Sequence, residues 1–241
     1  MRISFCVTCK NRLWQLRHTF PANVDAVLAD GESELVLLNY NSEDGLDDWV
    51  RGFAEHVESG AVRYVHQRSE PYFHCSKAKN LAHRAATGDF VVNLDADNHL
   101  GTTIAAWRSA WSERPDTVLH GFSGDFGDGT YGRIGLPRAG FLAIGGYDEA
   151  MLPISQQDRD IIMRAEAHGL SYRQIRQPGV AALPNSTAQK MRYCGYQMSH
   201  REMHDANLRR LEENHRRGRV KVNRTRRPTK VLLNFTTETH L

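Results

Sequence analysis

Two aspartates one residue apart, Asp95 and Asp97, close the largely apolar run Phe90-Val91-Val92-Asn93-Leu94. Side chains alternate with period two along an extended chain, so both carboxylates project to one side of the strand end. Two like charges held that close call for a cation. A hard divalent ion such as Mg²⁺ or Mn²⁺ takes one or two carboxylates and completes its shell with water and substrate phosphates. The plain alternative is a strand-end turn with solvated aspartates, and Asp-x-Asp by itself does not choose between the two.

Other polar groups fall at comparable places. Thr8-Cys9-Lys10-Asn11-Arg12 follows one apolar run, and Asn39-Tyr40-Asn41-Ser42 follows another. In an open parallel sheet, ligands gather at the carboxyl ends of strands, where the strand order reverses. Asp158 opens a helical pattern, where free N–H groups and the helix dipole favour a negative charge. It reads either as a proton acceptor or as an ordinary N-cap. Gly145-Gly146 permits a tight turn or a close approach to a sugar ring, with Asp148 and Glu149 on its hydroxyls. His200 and His204, four apart on a helix, face either a metal or solvent, while His74 and His99 flank the stretch that ends in the two aspartates.

The elements that must position these groups are strands over 2–8, 34–40, 61–67 and 90–96, alternating with helices over 46–59 and 75–88. Strand and helix in turn imply an α/β fold, a mostly parallel twisted sheet flanked by helices. A helix over about 102–113 carries Trp107 and Trp111 on one face, as core or as a sugar platform. The glycine-dense stretch 121–151 predicts turns without a further helix. A helix from Asp158 stops near Gly169 and a strand follows, and 196–218 predicts a long helix ended by Gly218. The expected organisation is one domain over 1–200 with a C-terminal helix and basic tail over 201–241, packed on it or extending from it.

A chain of 241 residues with 40% hydrophobic content can bury a sizeable core. Its net charge of +3 nearly cancels 31 basic against 28 acidic residues, so no nucleic-acid partner is expected. The excess sits in 201–230, read as a solvated helix and a mobile arm, or as a contact for a membrane surface or an acidic partner. Four cysteines without a repeated spacing predict reduced thiols and no zinc site at Cys6-x-x-Cys9. No apolar run nears the ~18 residues of a membrane span, and the start lacks a leader pattern, so a soluble, cytoplasmic protein is expected.

Four stretches together resemble the GT-A-fold inverting glycosyltransferases of glycosyltransferase family 2, which includes cellulose, hyaluronan and chondroitin synthases. They most resemble its β-1,4-galactosyltransferase-like branch. They are "ISFCVTCKNRLWQL", "SKAKNLAHRAATGDFVVNLDADN", "GFLAIGGYDEAM" and "QQDRDIIMRAEAHG", in the expected order. The resemblance implies that Thr8, Lys10, Asn11, Arg12, Asn39, Lys79, Asn80 and Asp95 hold a UDP-sugar. It further implies that Asp95 and Asp97 bind Mn²⁺ or Mg²⁺, and that Gly145, Gly146, Tyr147, Asp148 and Gln157 meet the sugar or a carbohydrate or other hydroxyl acceptor. Asp158 falls on the catalytic base. Three positions depart from the pattern: Asn39 replaces an Asp, Gln157 replaces a Glu, and Asn185 stands near an expected His ligand, where water is the expected substitute.

Three functions compete. The first is a metal-dependent inverting glycosyltransferase. A non-catalytic domain binding sugar nucleotides or glycans would account for Gln157. A nucleotidyltransferase would need a glycine-rich phosphate loop after the first strand, and "TCKNRLWQ" has no glycine.

Overall fold

The computed structural model describes residues 1–176 and 182–241. Its centre is four parallel strands: β1 (Ile3–Cys9), β2 (Glu34–Tyr40), β3 (Val62–Gln67) and β4 (Phe90–Asn93), in the order β4-β1-β2-β3. Residues alternate between two cores as a pleat requires. Ile3, Phe5, Val7 and Cys9 pack on one face, whereas Cys6 packs on the other. Cys6 and Cys9 thus point to opposite sides of the sheet.

The first face is covered by α1 (Leu13–Asp30), the short helices α2 (Leu46–Val50) and α3 (Ala54–Glu58), and α5 (Thr103–Glu113). α1 is a helix that the sequence pattern does not predict. Leu13, Leu16, Phe20, Val24 and Val27 recur at helical spacing on its buried side, Pro21 sits exposed in the middle, and Gly31 ends it at φ +72°. The helix expected over 46–59 is broken by a 3₁₀ turn over Arg51–Phe53, where Gly52 weakens helical order. Trp107 and Trp111 are core: their rings meet edge-on, and Trp111 stacks on Phe90 with centroids 4.2 Å apart.

The opposite face carries α4 (Cys75–Ala85), α6 (Arg138–Ala143) and α7 (Gln157–Ala167). Beyond β4 the sheet continues as β6 (Ile134–Pro137), β5 (Thr117–His120) and β7 (Ser171–Gln174), with antiparallel β4–β6 and β5–β6 pairs and a parallel β5–β7 pair. The glycine-dense stretch therefore holds a strand and a helix where turns alone were expected.

After α8 (Thr187–Met191) and α9 (His200–Arg216), the chain returns to the sheet. β8 (Lys230–Leu233) pairs antiparallel with β3, and β9 (Thr237–His240) closes the far edge. The segment between α9 and this β8–β9 hairpin, expected as a mobile arm, is strapped to the domain: Val222 N–H donates to Ile144 O, and Asn223 Nδ2 donates to the carbonyls of Gly145 and Tyr147. Among the described residues no helix is long and apolar enough to cross a membrane.

Candidate active site

The chain leaves β1 toward β2 and β3 on one side, and β4 lies on the other, so the strand order reverses at the β1/β4 pair. A cavity of about 590 Å³ opens there, where open α/β sheets bind ligands. Thr8, Lys10 and Arg12 enter it from the end of β1, Asp95 and Asp97 from the end of β4, Lys79 from α4, and Gln157 and Asp158 from the start of α7.

The Asp-x-Asp turn is held from beneath by α1. Thr19 Oγ1 donates to Ala96 O at 2.7 Å, while Asn23 donates to Asn98 O and accepts from Leu100 N–H. Residues downstream clamp it from the other side: Leu183 N–H donates to Asp97 O at 2.8 Å, and Asn98 bridges to Ala182. That crossing lays Asn185 on Asp97, its amide nitrogen 3.3 Å from Oδ2. Asn185 Oδ1 is buried and has no hydrogen-bond partner among the described residues.

Burial, and then the neighbouring charge of Asp95, raise the proton affinity of Asp97 against the hydrogen bonds from Asn98 and Asn185. Arg133, almost wholly buried beneath the turn, donates to Asn98 Oδ1 at 2.6 Å, and its Nε and Nη1 find no partner among the described residues. Two carboxylates and an orphaned amide oxygen are a hard-oxygen donor set, which suits Mg²⁺ or Mn²⁺ with room for substrate oxygens. Among the described residues no group of three His, Cys, Asp or Glu side chains forms a metal cage.

Asp158 is not an N-cap. Gln156 takes that position, and Asp158 lies in the first turn of α7. Its Oδ1 accepts from Lys79 Nζ at 2.6 Å, with the lysine side chain 3% exposed and the aspartate 23%. Burial disfavours the Lys79 ammonium, but Asp158 outweighs burial and holds its pKa well above the usual lysine range. The other oxygen, Oδ2, turns toward Gly132: a Cβ there would lie 3.5 Å from Asp158 Oδ2 and 2.7 Å from Asp95 Oδ2. A bare backbone at 132 is what lets the two carboxylates converge. Ser155 and Gln156, just upstream, hold left-handed φ values of +84° and +68°, which for residues with side chains stores strain near the site.

Several expected site residues make hydrogen bonds or packing contacts within the protein itself. Asn11 has φ +54° and binds Ser42 and Glu43, and the buried Asn39 bridges Tyr64 and Ser42. Asn80 is buried and locks the turn after α6 through both the N–H and the carbonyl of Tyr147. Gly145 and Gly146 face protein, since a Cβ would meet Val222 O at 2.2 Å and Asn80 Oδ1 at 2.3 Å. Tyr147 is fully buried under Lys79, whose ammonium lies 5.1 Å from its ring centroid. Asp148 is consumed by Arg210 and Asn214. Gln157, though it lines the cavity, is buried and donates to Leu152 O. Lys10 donates to the carbonyls of Tyr40 and Asn41 from the cavity wall.

Thr19, Asn23, Arg133 and Gly132 went unnoticed in the sequence, since none sits in a motif. His200 and His204 face the cavity, as do the aromatic rings of Tyr131, Tyr193 and the exposed Phe126. His74 instead caps α4 by accepting from Lys77 N–H.

Residues 4–102 match the family model described as glycosyl transferase family 2. Among solved structures, S. aureus TarS 1–349 in complex with UDP-GlcNAc superposes with a TM-score of 0.61 at 14% identity, over 77% of this chain and 59% of that one. The mannosyltransferase PcManGT from Pyrobaculum calidifontis, in complex with GDP-Man and Mn²⁺, gives 0.61 at 19% identity, over 80% and 61%. The chain thus spans about three fifths of the length of these two. A comparison with curated proteins gives no match. The fold is the α/β fold of GT-A glycosyltransferases, and residues 4–102 carry the family 2 pattern on it.

Proposed function

We propose that this chain, with the family 2 pattern on a GT-A fold, transfers a sugar from a nucleotide-diphosphate sugar to an acceptor hydroxyl with inversion. The observation that carries the reading is the opening of Asp95, Asp97 and the Lys79-paired Asp158 into one cavity at the sheet's switch point. TarS and PcManGT, solved with UDP-GlcNAc and GDP-Man, support a nucleotide sugar as donor class. The resemblance to the galactosyltransferase-like branch favours uridine.

An acceptor hydroxyl is a poor nucleophile at neutral pH, so its proton must leave as its oxygen attacks the anomeric carbon. Asp158 takes that proton. The bond from the anomeric carbon to the diphosphate breaks on the opposite face, and its electron pair leaves on the phosphate oxygen. Lys10 and Arg12, at the end of β1, face the departing charge. Asp95, Asp97 and Asn185 would hold Mn²⁺ or Mg²⁺, and a divalent cation bound there supplies charge compensation for the leaving diphosphate. Lys79 keeps Asp158 oriented from below.

Thermal melting of the full chain with UDP-, GDP- and dTDP-sugars, with and without Mn²⁺, tests the donor class, since a ligand of the folded state raises the melting point by mass action. Stabilisation by a nucleotide sugar that requires Mn²⁺, together with slow donor hydrolysis, is the expected result. A protein that binds the donor but never turns it over would be a binding domain. One that ignores all three donors ends the proposal.

A further inference from the structure

We infer that the acceptor carries an oxyanion, a phosphate or carboxylate group, which Lys190, His200 and His204 recognise; the word acceptor rests on the transferase reading above. Lys190 on α8 and both histidines on α9 line the same cavity as Asp158. The imidazole centroids are 6.5 Å apart. Burial lowers the proton affinity of His200, and the charges of His204 and Lys190 lower it further, so the three groups sit within electrostatic reach of one another.

A lysine beside basic side chains normally finds a carboxylate. Elsewhere this chain pairs Lys79 with Asp158, Arg164 with Asp160, Arg210 with Asp148 and Arg226 with Glu149. Among the described residues, Lys190, His200 and His204 take part in no such pair, and the side chains of Lys190 and His200 make no hydrogen bond. Lys190 and His200 offer nitrogen donors without an internal anion, and His204, whose ring is held by Ser155 and the Gln156 amide, borders them; the arrangement suits an external anion.

Position separates this anion from the donor's diphosphate. His204 Nδ1 lies 3.0 Å from Ser155 Oγ and 3.3 Å from Gln156 Nε2, so the cluster is fastened to the segment leading into Asp158. The diphosphate already has Lys10, Arg12 and the Asp-x-Asp pair on the strand ends. A molecule that presents a hydroxyl to Asp158 can lay its anionic group on the cluster beside it.

The test uses the full chain saturated with UDP and Mn²⁺ and reads melting shifts with glycerol 3-phosphate, glucuronate and glycerol. At least one anion should stabilise and glycerol should not; which anion acts tells phosphate from carboxylate. Lys190→Met with His200→Gln should weaken that anion by about ten-fold or more while leaving UDP affinity within about two-fold. Lys190→Gln, at an exposed position, provides a milder variant whose fold is safe. Two results overturn the inference: no anion binds, or the variants lose UDP, which would assign the cluster to the diphosphate. Should UDP fail to bind the parent protein, the donor proposal falls separately. The anion titration without nucleotide then decides the cluster, with binding that the variants abolish in its favour and no binding against it.

Discussion

At the scale of single residues, the Lys79–Asp158 pair decides what a substitution can report. Removing one partner of a buried ion pair strands the other charge, so Asp158→Ala would mix lost chemistry with lost stability. Asp158→Asn keeps an oxygen for the Lys79 ammonium, so it disturbs the pair less than Asp158→Ala, but it removes the compensating charge together with the proton acceptor. Its turnover, measured below the variant's own melting point, should fall by about 10²–10⁴-fold, with a lowered melting point but UDP affinity near that of the parent; undiminished turnover would remove Asp158 as base. Gly132→Ala makes a different demand, because its Cβ would lie 2.7 Å from Asp95 Oδ2. The carboxylate must swing away, so the Mn²⁺ concentration needed for half-maximal stabilisation by UDP should rise, while far-UV circular dichroism stays unchanged. Of the expected site residues, Asp95, Asp97, Asp158, Lys10 and Arg12 line the cavity, and they are those whose direction follows from a strand end or a helix start. Gly132 stayed hidden because its role is defined by carboxylates 37 and 26 positions away in the chain.

At the scale of elements, Glu34 ties the entry ends of three strands together. It starts β2, accepts from Ser4 Oγ on β1 and from Thr87 just before β4, and pairs with Arg2. Burial raises its proton affinity, but these hydrogen bonds and Arg2 outweigh burial and leave its pKa below the usual range. A carboxylate with a depressed folded pKa contributes stability that is fully present above its unfolded value of about 4.3, and loses it as pH falls through the folded value. Urea midpoints should show Glu34→Gln less stable than the parent by roughly 1–3 kcal/mol at pH 7, with the gap narrowing below about pH 4; a gap constant with pH would contradict this. The strands were legible because apolar β-branched runs leave few other readings, and β2 coincides with its expected span. α1 was missed although its apolar spacing is regular, since Pro21 reads as a break and only its exposed setting in the helix shows otherwise. The 46–59 segment failed at Gly52 for the converse reason: periodicity continues through a residue that weakens the helix.

At the scale of the whole molecule, the basic C-terminal segment is structural as well as charged. Local composition showed its cations but not their partners, because Arg210 and Asn214 meet Asp148, and Arg226 meets Glu149, across more than sixty residues of chain. The same long-range docking turned the Gly145–Gly146 pair away from the cavity. Beyond it, the β8–β9 hairpin covers the edge of β3: Asn234 exchanges hydrogen bonds with both backbone groups of Tyr64, and Phe235 lies against the Tyr64 ring with centroids 5.0 Å apart. Tyr64 in turn donates to Asp47 and accepts from Asn39, so the hairpin supports the loop after β2 that borders the β1 end. Ending the chain after Pro228 would expose a flat row of β3 backbone groups, a template for pairing between molecules. The shortened protein should melt lower and scatter light at concentrations where the parent does not. Val231→Asp, at a position 3% exposed against the core, should reproduce the lower melting point with the edge strand still present. If both variants melt like the parent and stay monomeric, the hairpin is an appendage and the basic segment is free to serve a partner.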